Sequence, residues 1–473
     1  MRRVVLGPFN RVEGDLEITL DVEDGQVRSA RVSSPLFRGF EQLLVGRAPQ
    51  DALVIVPRIC GICSVAQSAA AAMALSQLAG VEMPHNAVLS SQLIQATENL
   101  ADHLTHFYLF FMPDFTRANY ADRHWYAVVE KRFAAGRGTA ASAALHARGN
   151  FLKLMGFLAG RWPHTLALQH GGSTKAMTAA ERVRILALLR EFRAFLETTM
   201  LGDTLENVGE LTSEVSLRAW AAGRAGDFPC FLNLAFDLGL ENIGHATDRF
   251  LSYGAYGLYG AGIWQVGQGV AAMEVNLITE DVHSAWLLGD RPLQPALGAT
   301  VVDADKAGAY TWCKAPRYAL KAAETGALAR QMVAGQPLLD DLVSRHGGSV
   351  TARMVARMME LACVVPAMER WVTGIILGEA FFLASDLPDS GQGVGLVEAA
   401  RGGLGHWLSV KDGHIDRYQI IAPTTWNFSP RDSEQQPGPL ETALVGLPVG
   451  DSALPTLQHV VRSFDPCMVC TVP

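Results

Sequence analysis

The chain has 473 residues, is 49% hydrophobic and carries a formal net charge of −8. That apolar share is ample for a large core, and the acidic balance excludes the clustered basic face that nucleic-acid binding requires. Only 18% of residues are charged, low against about a quarter in ordinary globular chains, which fits either a surface covered by a partner or a large globule with little surface per residue.

The opening MRRVVLGPFNRVEG has two arginines but no apolar run of signal-peptide length. The most apolar stretches carry charges, as Glu369 and Arg370 do before WVTGIILGEAFFLA. None offers the ~20 clean apolar residues of a spanning helix. A cytoplasmic chain with no direct membrane insertion is expected.

Leu16, Ile18, Leu20 and Val22 alternate with Glu17, Thr19 and Asp21. Asp24-Gly25 then gives a turn signal, and Val27 to Val32 resumes extended character, so a β-hairpin is predicted. A helix is expected from about Arg38. Ser64 is a candidate cap for a helix through the Ala-rich stretch to Leu78, with Gly80 as its stop. Apolar-periodic runs at Asn86–Met112, Ala143–Leu158, Ala179–Met200, Ala307–Val333 and Val350–Ala384 predict long helices. Phe228–Gln268, rich in Gly and Tyr, reads as irregular or short-stranded. Asp412-Gly413 inside WLSVKDGHIDRYQII signals a second hairpin. No internal repeat or linker interrupts the chain. The expected fold is α+β and mainly α, a long-helix bundle with β-hairpins from both chain ends flanking a buried metal site. Residues 1–473 are expected to form a single intertwined domain.

There are seven cysteines and no disulfide context. Cys230, Cys313 and Cys363 stand alone and read as buried inert thiols. The other four form two Cys-x-x-Cys pairs, Cys60/Cys63 and Cys467/Cys470. Spacing i, i+3 lets two thiolates converge on one ion, and four suit zinc or iron. Zinc ribbons usually place such pairs about 15–20 residues apart; these lie at opposite ends of the chain. Spacing alone leaves a redox or catalytic metal, a structural zinc and two unrelated pairs all open.

The flanking residues are more specific. Arg58-Ile-Cys60-Gly-Ile-Cys63 and Asp465-Pro-Cys467-Met-Val-Cys470 resemble the two signature motifs of nickel–iron hydrogenase large subunits. Asn10-Arg-Val-Glu13-Gly, Arg38-Gly-Phe-Glu41, Asp102-His-Leu-Thr-His-Phe-Tyr108, Glu398-Ala-Ala-Arg401-Gly-Gly-Leu-Gly-His406-Trp and Ala422-Pro-Thr-Thr-Trp-Asn427 resemble further blocks of that family, in order. Dihydrogen has no charge or dipole to grip, so it must be split heterolytically by a Lewis-acidic metal beside a base, and soft thiolates suit nickel and low-spin iron.

The resemblance implies a Ni-Fe centre with carbon monoxide and cyanide ligands on the iron. All four cysteines would bind nickel, and Cys63 and Cys470 would also bridge to iron. Cys467 would take the first proton and Glu13 the next. Arg401 would lie over the metals, held by Asp102 and Asp465, and Thr424 would donate to a cyanide nitrogen. Glu41 would bind a magnesium ion with help from the Ile420 carbonyl. The family's third ligand there is a terminal histidine, where this chain has Pro473. Ala400 stands where a proline often precedes the arginine.

The implied partners are H2 and a small subunit carrying iron–sulfur clusters. Three departures resemble the regulatory, hydrogen-sensing group. Gln67 replaces a common histidine near the bridging thiolates, Ile62 and Phe110 stand where smaller residues often line the gas channel, and the sequence stops three residues after Cys470. The expected role is therefore an oxygen-tolerant sensor of low turnover that signals to a histidine kinase. The alternatives are an energy-conserving uptake hydrogenase, a structural zinc protein with four cysteine ligands, and the related quinone-site subunit of respiratory complex I, which lacks the cysteine pairs.

Overall fold

The computed structural model describes residues 2–450 and 454–471. Strands Arg2–Leu6, Glu17–Glu23 and Gln26–Ser33 form an antiparallel sheet in chain order. Its second and third strands are the expected hairpin. Asp24 (φ 52°) and Gly25 (φ 75°) make the turn, because both central positions of a tight hairpin need positive φ. Leu16, Ile18 and Leu20 are buried on one face, as their alternation requires.

Long helices fill the middle: Ser64–Ala79, His85–Thr105, Thr139–Ala159, Ala179–Phe195 and Val350–Gly374. The run read as Asn86–Met112 is α-helical only to Thr105 and then widens into a π turn, His106–Phe111. The mainly helical α+β class stands.

A second three-stranded sheet, Gly391–Ala399, Gly402–Lys411 and His414–Ile421, contains the expected Asp412-Gly413 hairpin. Its first strand lies in backbone contact with the Ser64–Ala79 helix. A Cβ on Gly393 would sit 2.1 Å from the Ala74 carbonyl oxygen, and one on Gly395 would sit 1.9 Å from that of Ala70. Glycine on the strand and alanine on the helix are what so close an approach needs.

Four expectations are corrected. Ala307–Val333 is not one helix: Ala315–Tyr318 is a strand and only Ala327–Val333 is helical. Buried Lys314 and Arg317 make ion pairs there that an apolar periodicity does not reveal. The last helix stops at Gly374, ten residues before Ala384. Phe228–Gln268 begins inside a helix, Asp227–Leu238, before strands Arg249–Ala255 and Tyr259–Gln265. Ser64 is the first helical residue and not the cap; Cys63 holds the cap position without a side-chain cap bond.

The two ends of the chain meet. The Glu13 N–H donates to the Pro466 carbonyl (3.4 Å) and the Met468 N–H to that of Glu13 (2.7 Å). Gly14 (φ 81°) lies so close to this seam that a Cβ would be 2.9 Å from the Val469 nitrogen. Arg462 donates to both oxygens of Asn10 at 2.8 Å. One buried apolar cluster runs from Phe9 to Cys470. Among the described residues no helix is long and apolar enough to cross a membrane.

Candidate metal centre

The first cysteine pair sits in the loop that ends at the Ser64–Ala79 helix, and the second in a short 3-10 turn, Met468–Cys470, near the chain end. The structure gathers all four. Their sulfurs lie within 4.8 Å of one another, all buried. Cys60 Sγ is 3.5 Å from Cys467 Sγ, Cys63 Sγ 3.3 Å from Cys470 Sγ, and Cys467 Sγ 2.9 Å from Cys470 Sγ. The Ile62 N–H donates to Cys60 Sγ at 3.3 Å.

Such crowding decides the electrostatics. Hydrogen bonds from Cys467, Cys470 and Cys63 hold the Cys60 thiol far below its ordinary range. Contacts with Cys467 and Cys60, together with burial, push Cys63 and Cys470 far above it. One thiolate therefore opposes the next, and four can coexist only around a cation. Four soft sulfurs with no carboxylate among them suit nickel, iron or zinc and not a hard cation.

Arg401 stands at the corner between strands Gly391–Ala399 and Gly402–Lys411. Its Nε donates to the Asp465 carbonyl (2.9 Å), Nη2 lies 3.1 Å from Asp465 Oδ1, and Nη1 lies 2.9 Å from Asp102 Oδ2. Nη1 keeps no well-aligned hydrogen-bond acceptor. Burial opposes the guanidinium charge, but Asp102, Asp465 and the Cys467 and Cys60 sulfurs outweigh it, so Arg401 is held charged. Burial raises Asp102 to about 7. The strand end is fixed by Glu398, which accepts from Arg330 and from the Tyr253 N–H, each at 2.7 Å.

Glu13 and Cys467 form an isolated parallel bridge, which puts the carboxylate's backbone beside the second cysteine motif. Burial and the Cys60 sulfur raise the Glu13 carboxyl, and Arg401 partly offsets them. The Cys467 N–H donates to Thr424 Oγ1 at 3.1 Å. Phe110 is half-buried in the π turn, whereas its neighbours Phe107 and Phe111 are fully buried. Ile62 is half-buried between the first two cysteines.

Glu41 does not fit a magnesium ion. Its oxygens accept from Lys314 Nζ at 3.0 and 2.9 Å and from the Thr300 hydroxyl. The Ile420 N–H donates to Glu41 Oε1 at 2.8 Å. An ammonium already fills the place of a cation, and Pro473 lies outside the described residues.

Sequence reasoning missed Glu98. Its buried carboxylate accepts from the Val65 and Ala66 N–H groups (both 3.0 Å), the Ser64 hydroxyl (3.3 Å) and Trp162 Nε1 (2.8 Å). It thus caps the helix that follows Cys63, satisfying donors the helix cannot. A lone glutamate on the buried side of an apolar run was the available signal.

The profile of the family described as Nickel-dependent hydrogenase matches residues 38–128 and 142–473. The chain belongs to that family. The nickel-dependent hydrogenases it resembles include the "Periplasmic [NiFeSe] hydrogenase large subunit" of Desulfomicrobium baculatum, 31% identical over 99% of this chain and 94% of that one. The "Hydrogenase-2 large chain" of Escherichia coli (strain K12) is 26% identical over 100% and 97%. The solved structure of H2-activated Dm. baculatum [NiFeSe]-hydrogenase superposes with a TM-score of 0.86 at 30% identity, covering 100% of both chains. This chain is therefore the large subunit of a hydrogenase, an enzyme of H2 oxidation whose four clustered cysteines suit its metal site.

Proposed function

We propose that Cys60, Cys63, Cys467 and Cys470 hold a Ni-Fe centre with carbon monoxide and cyanide on the iron, and that the chain oxidises H2 beside an iron–sulfur small subunit. The observation that carries this reading is the four buried sulfurs within 4.8 Å. When bound, the centre supplies the Lewis acidity and electron acceptance that heterolytic cleavage needs. Cys467 Sγ holds the first proton. The Glu13 carboxylate, raised by burial, takes it next, since a carboxyl shifted upward accepts a proton more readily than an ordinary one. Arg401, charged and aligned by Asp102 and Asp465, presents fixed positive charge to the site without reorganising. Thr424 holds Cys467 by accepting its backbone N–H, which would leave its own hydroxyl proton free to donate to a cyanide ligand of the bound centre.

Electrons leave through the small subunit, because Cys230, Cys313 and Cys363 are scattered along the chain. The test is metal analysis with infrared spectroscopy of the heterodimer made in nickel-supplied cells. Nickel, iron and stretching bands of carbon monoxide and cyanide are expected. Zinc alone would end this reading.

An energy-conserving uptake role agrees best with the named relatives. A second reading, a hydrogen sensor signalling to a histidine kinase, rests on Gln67, Ile62 and Phe110. Turnover separates the two: fast H2 oxidation that dioxygen quickly abolishes excludes the sensor, and slow, oxygen-insensitive turnover excludes the uptake role.

A further inference from the structure

Arg401 lies in the two-residue turn, Ala400-Arg401, that joins strands Gly391–Ala399 and Gly402–Lys411, where Ala399 pairs with Gly402. Neither central residue is among the described residues of positive φ, so the turn is not one of the primed types that match the twist of the flanking strands. Arg330, on the helix Ala327–Val333, holds it from one side. Its Nη1 donates to the Ala399 carbonyl (3.0 Å) and to Glu398 Oε2 (2.7 Å), and its Nη2 to the Ala400 carbonyl (3.2 Å) and to Glu360 Oε2 (2.6 Å). Arg330, Glu360 and Glu398 are all buried. The other side is held by Thr325, whose hydroxyl accepts the Gly403 N–H at 2.6 Å. The Asn427 amide bonds both the N–H and the carbonyl of Thr325. A Cβ on Gly402 would lie 2.4 Å from the Thr325 hydroxyl oxygen, so the contact on this side is close as well.

We propose that Arg330 is a positioning residue for Arg401: by holding the Ala399 and Ala400 carbonyls it fixes the turn that carries the Arg401 guanidinium. The inference rests on the nickel–iron reading above, in which Arg401 presents its charge to the centre. Asp102 and the Asp465 carboxylate align the head of Arg401, but they meet only its side chain. A shift of the turn would pull the guanidinium away from them or carry its charge off the site. Each terminal nitrogen of Arg330 meets one carboxylate and one carbonyl. The carboxylates neutralise a buried cation, and the planar fork directs its remaining donors to the two carbonyls. Glu360 stands on the long helix Val350–Gly374, so the turn is anchored through Arg330 to the body of the fold. Proline at the first central position would pre-set φ there. This chain has Ala400, which supplies no such stiffness, and the turn is held from outside instead.

The experiment uses the intact heterodimer, with nickel and iron measured in each sample, and compares Arg330→Lys with the double variant Arg330→Lys/Ala400→Pro. Lysine keeps the charge that Glu360 and Glu398 need but cannot serve both carbonyls as well with one nitrogen. Proline is favoured at the first central position of an ordinary turn and wants an extended residue before it, which Ala399 already is at its strand end. Arg330→Lys should displace or broaden the infrared bands of iron-bound carbon monoxide and cyanide. It should also lower kcat for H2 oxidation by about 10²-fold with KM unchanged, as for a catalytic group about 1 Å out of place. Adding Ala400→Pro should bring the bands back toward those of the wild type and recover kcat. Wild-type bands and kcat in fully loaded Arg330→Lys overturn the proposal, as does a double variant no closer to wild type than Arg330→Lys. If Arg330→Lys does not load its metals, the double variant decides: loading supports the proposal, and failure to load overturns it. Wild-type protein without any such bands removes the nickel–iron reading itself, an outcome distinct from these.

Discussion

Cys63 and Cys470 hold their sulfurs 3.3 Å apart although 407 positions separate them in the sequence. The contact closes the chain on itself, and metal bound there acts as a tether between its ends. Cys470→Ser exchanges a soft sulfur for a hard hydroxyl that does not ionise at neutral pH. We expect nickel and iron to be lost together, and amide hydrogen exchange to rise in residues 454–471 and around Glu13. Unchanged metal content in this variant would count against a shared four-sulfur site.

Arg401 neutralises two buried carboxylates, so its removal is costly for the fold as well as for chemistry. Arg401→Met should cost roughly 3–5 kcal/mol by leaving Asp102 and Asp465 unpaired, seen as a lower denaturation midpoint. Arg401→Lys should recover part of that loss but not H2 oxidation, because an ammonium cannot reach both carboxylates with a planar fork.

For Glu13 the expected result separates proton transfer from folding. Glu13→Gln keeps the shape and loses the titration. Hydrogen–deuterium exchange should fall by about 10²–10⁴-fold with metal content and infrared bands retained. Full exchange in the variant would exclude the relay.

A fourth outcome lies away from the centre. Glu441 is buried and accepts from the Val32 N–H (3.0 Å) and the Tyr310 hydroxyl (2.8 Å), and burial raises it from 4.5 to about 7. The folded protein then holds this proton more tightly than the unfolded chain. Its contribution is complete below pH 4.5 and is lost as pH rises through about 7. At ~1.4 kcal/mol per pH unit the loss is about 3 kcal/mol. Glu441→Gln should flatten the stability profile across this window, measured by denaturant titration at several pH values; parallel profiles for the two proteins would contradict it.

What could be read from the sequence was local or patterned. Asp24-Gly25 and Asp412-Gly413 announce their hairpins because few residues accept positive φ. Gly80 ends its helix at φ 65° for the same reason. The cysteine motifs identified the centre because their neighbours are specific. The misreadings share a cause in partners distant along the chain. Glu98 caps a helix 32 residues before it, and Lys314 pairs with Glu41 across 273 positions. Helix Asp227–Leu238 was detectable: Pro229 suits a first turn, and Gly239 (φ 68°) is an ordinary stop.

The seam that joins Glu13 to Pro466 and Met468 has a consequence for biosynthesis. Ribosomes add about 5–20 residues per second, and 407 positions separate Cys60 from Cys467. The first pair of thiols therefore exists for roughly 20–80 s before the second is made. Throughout that interval the four-sulfur site has only half of its ligands. The site can therefore close only after synthesis is nearly finished, when the last residues pair with Glu13 across the seam.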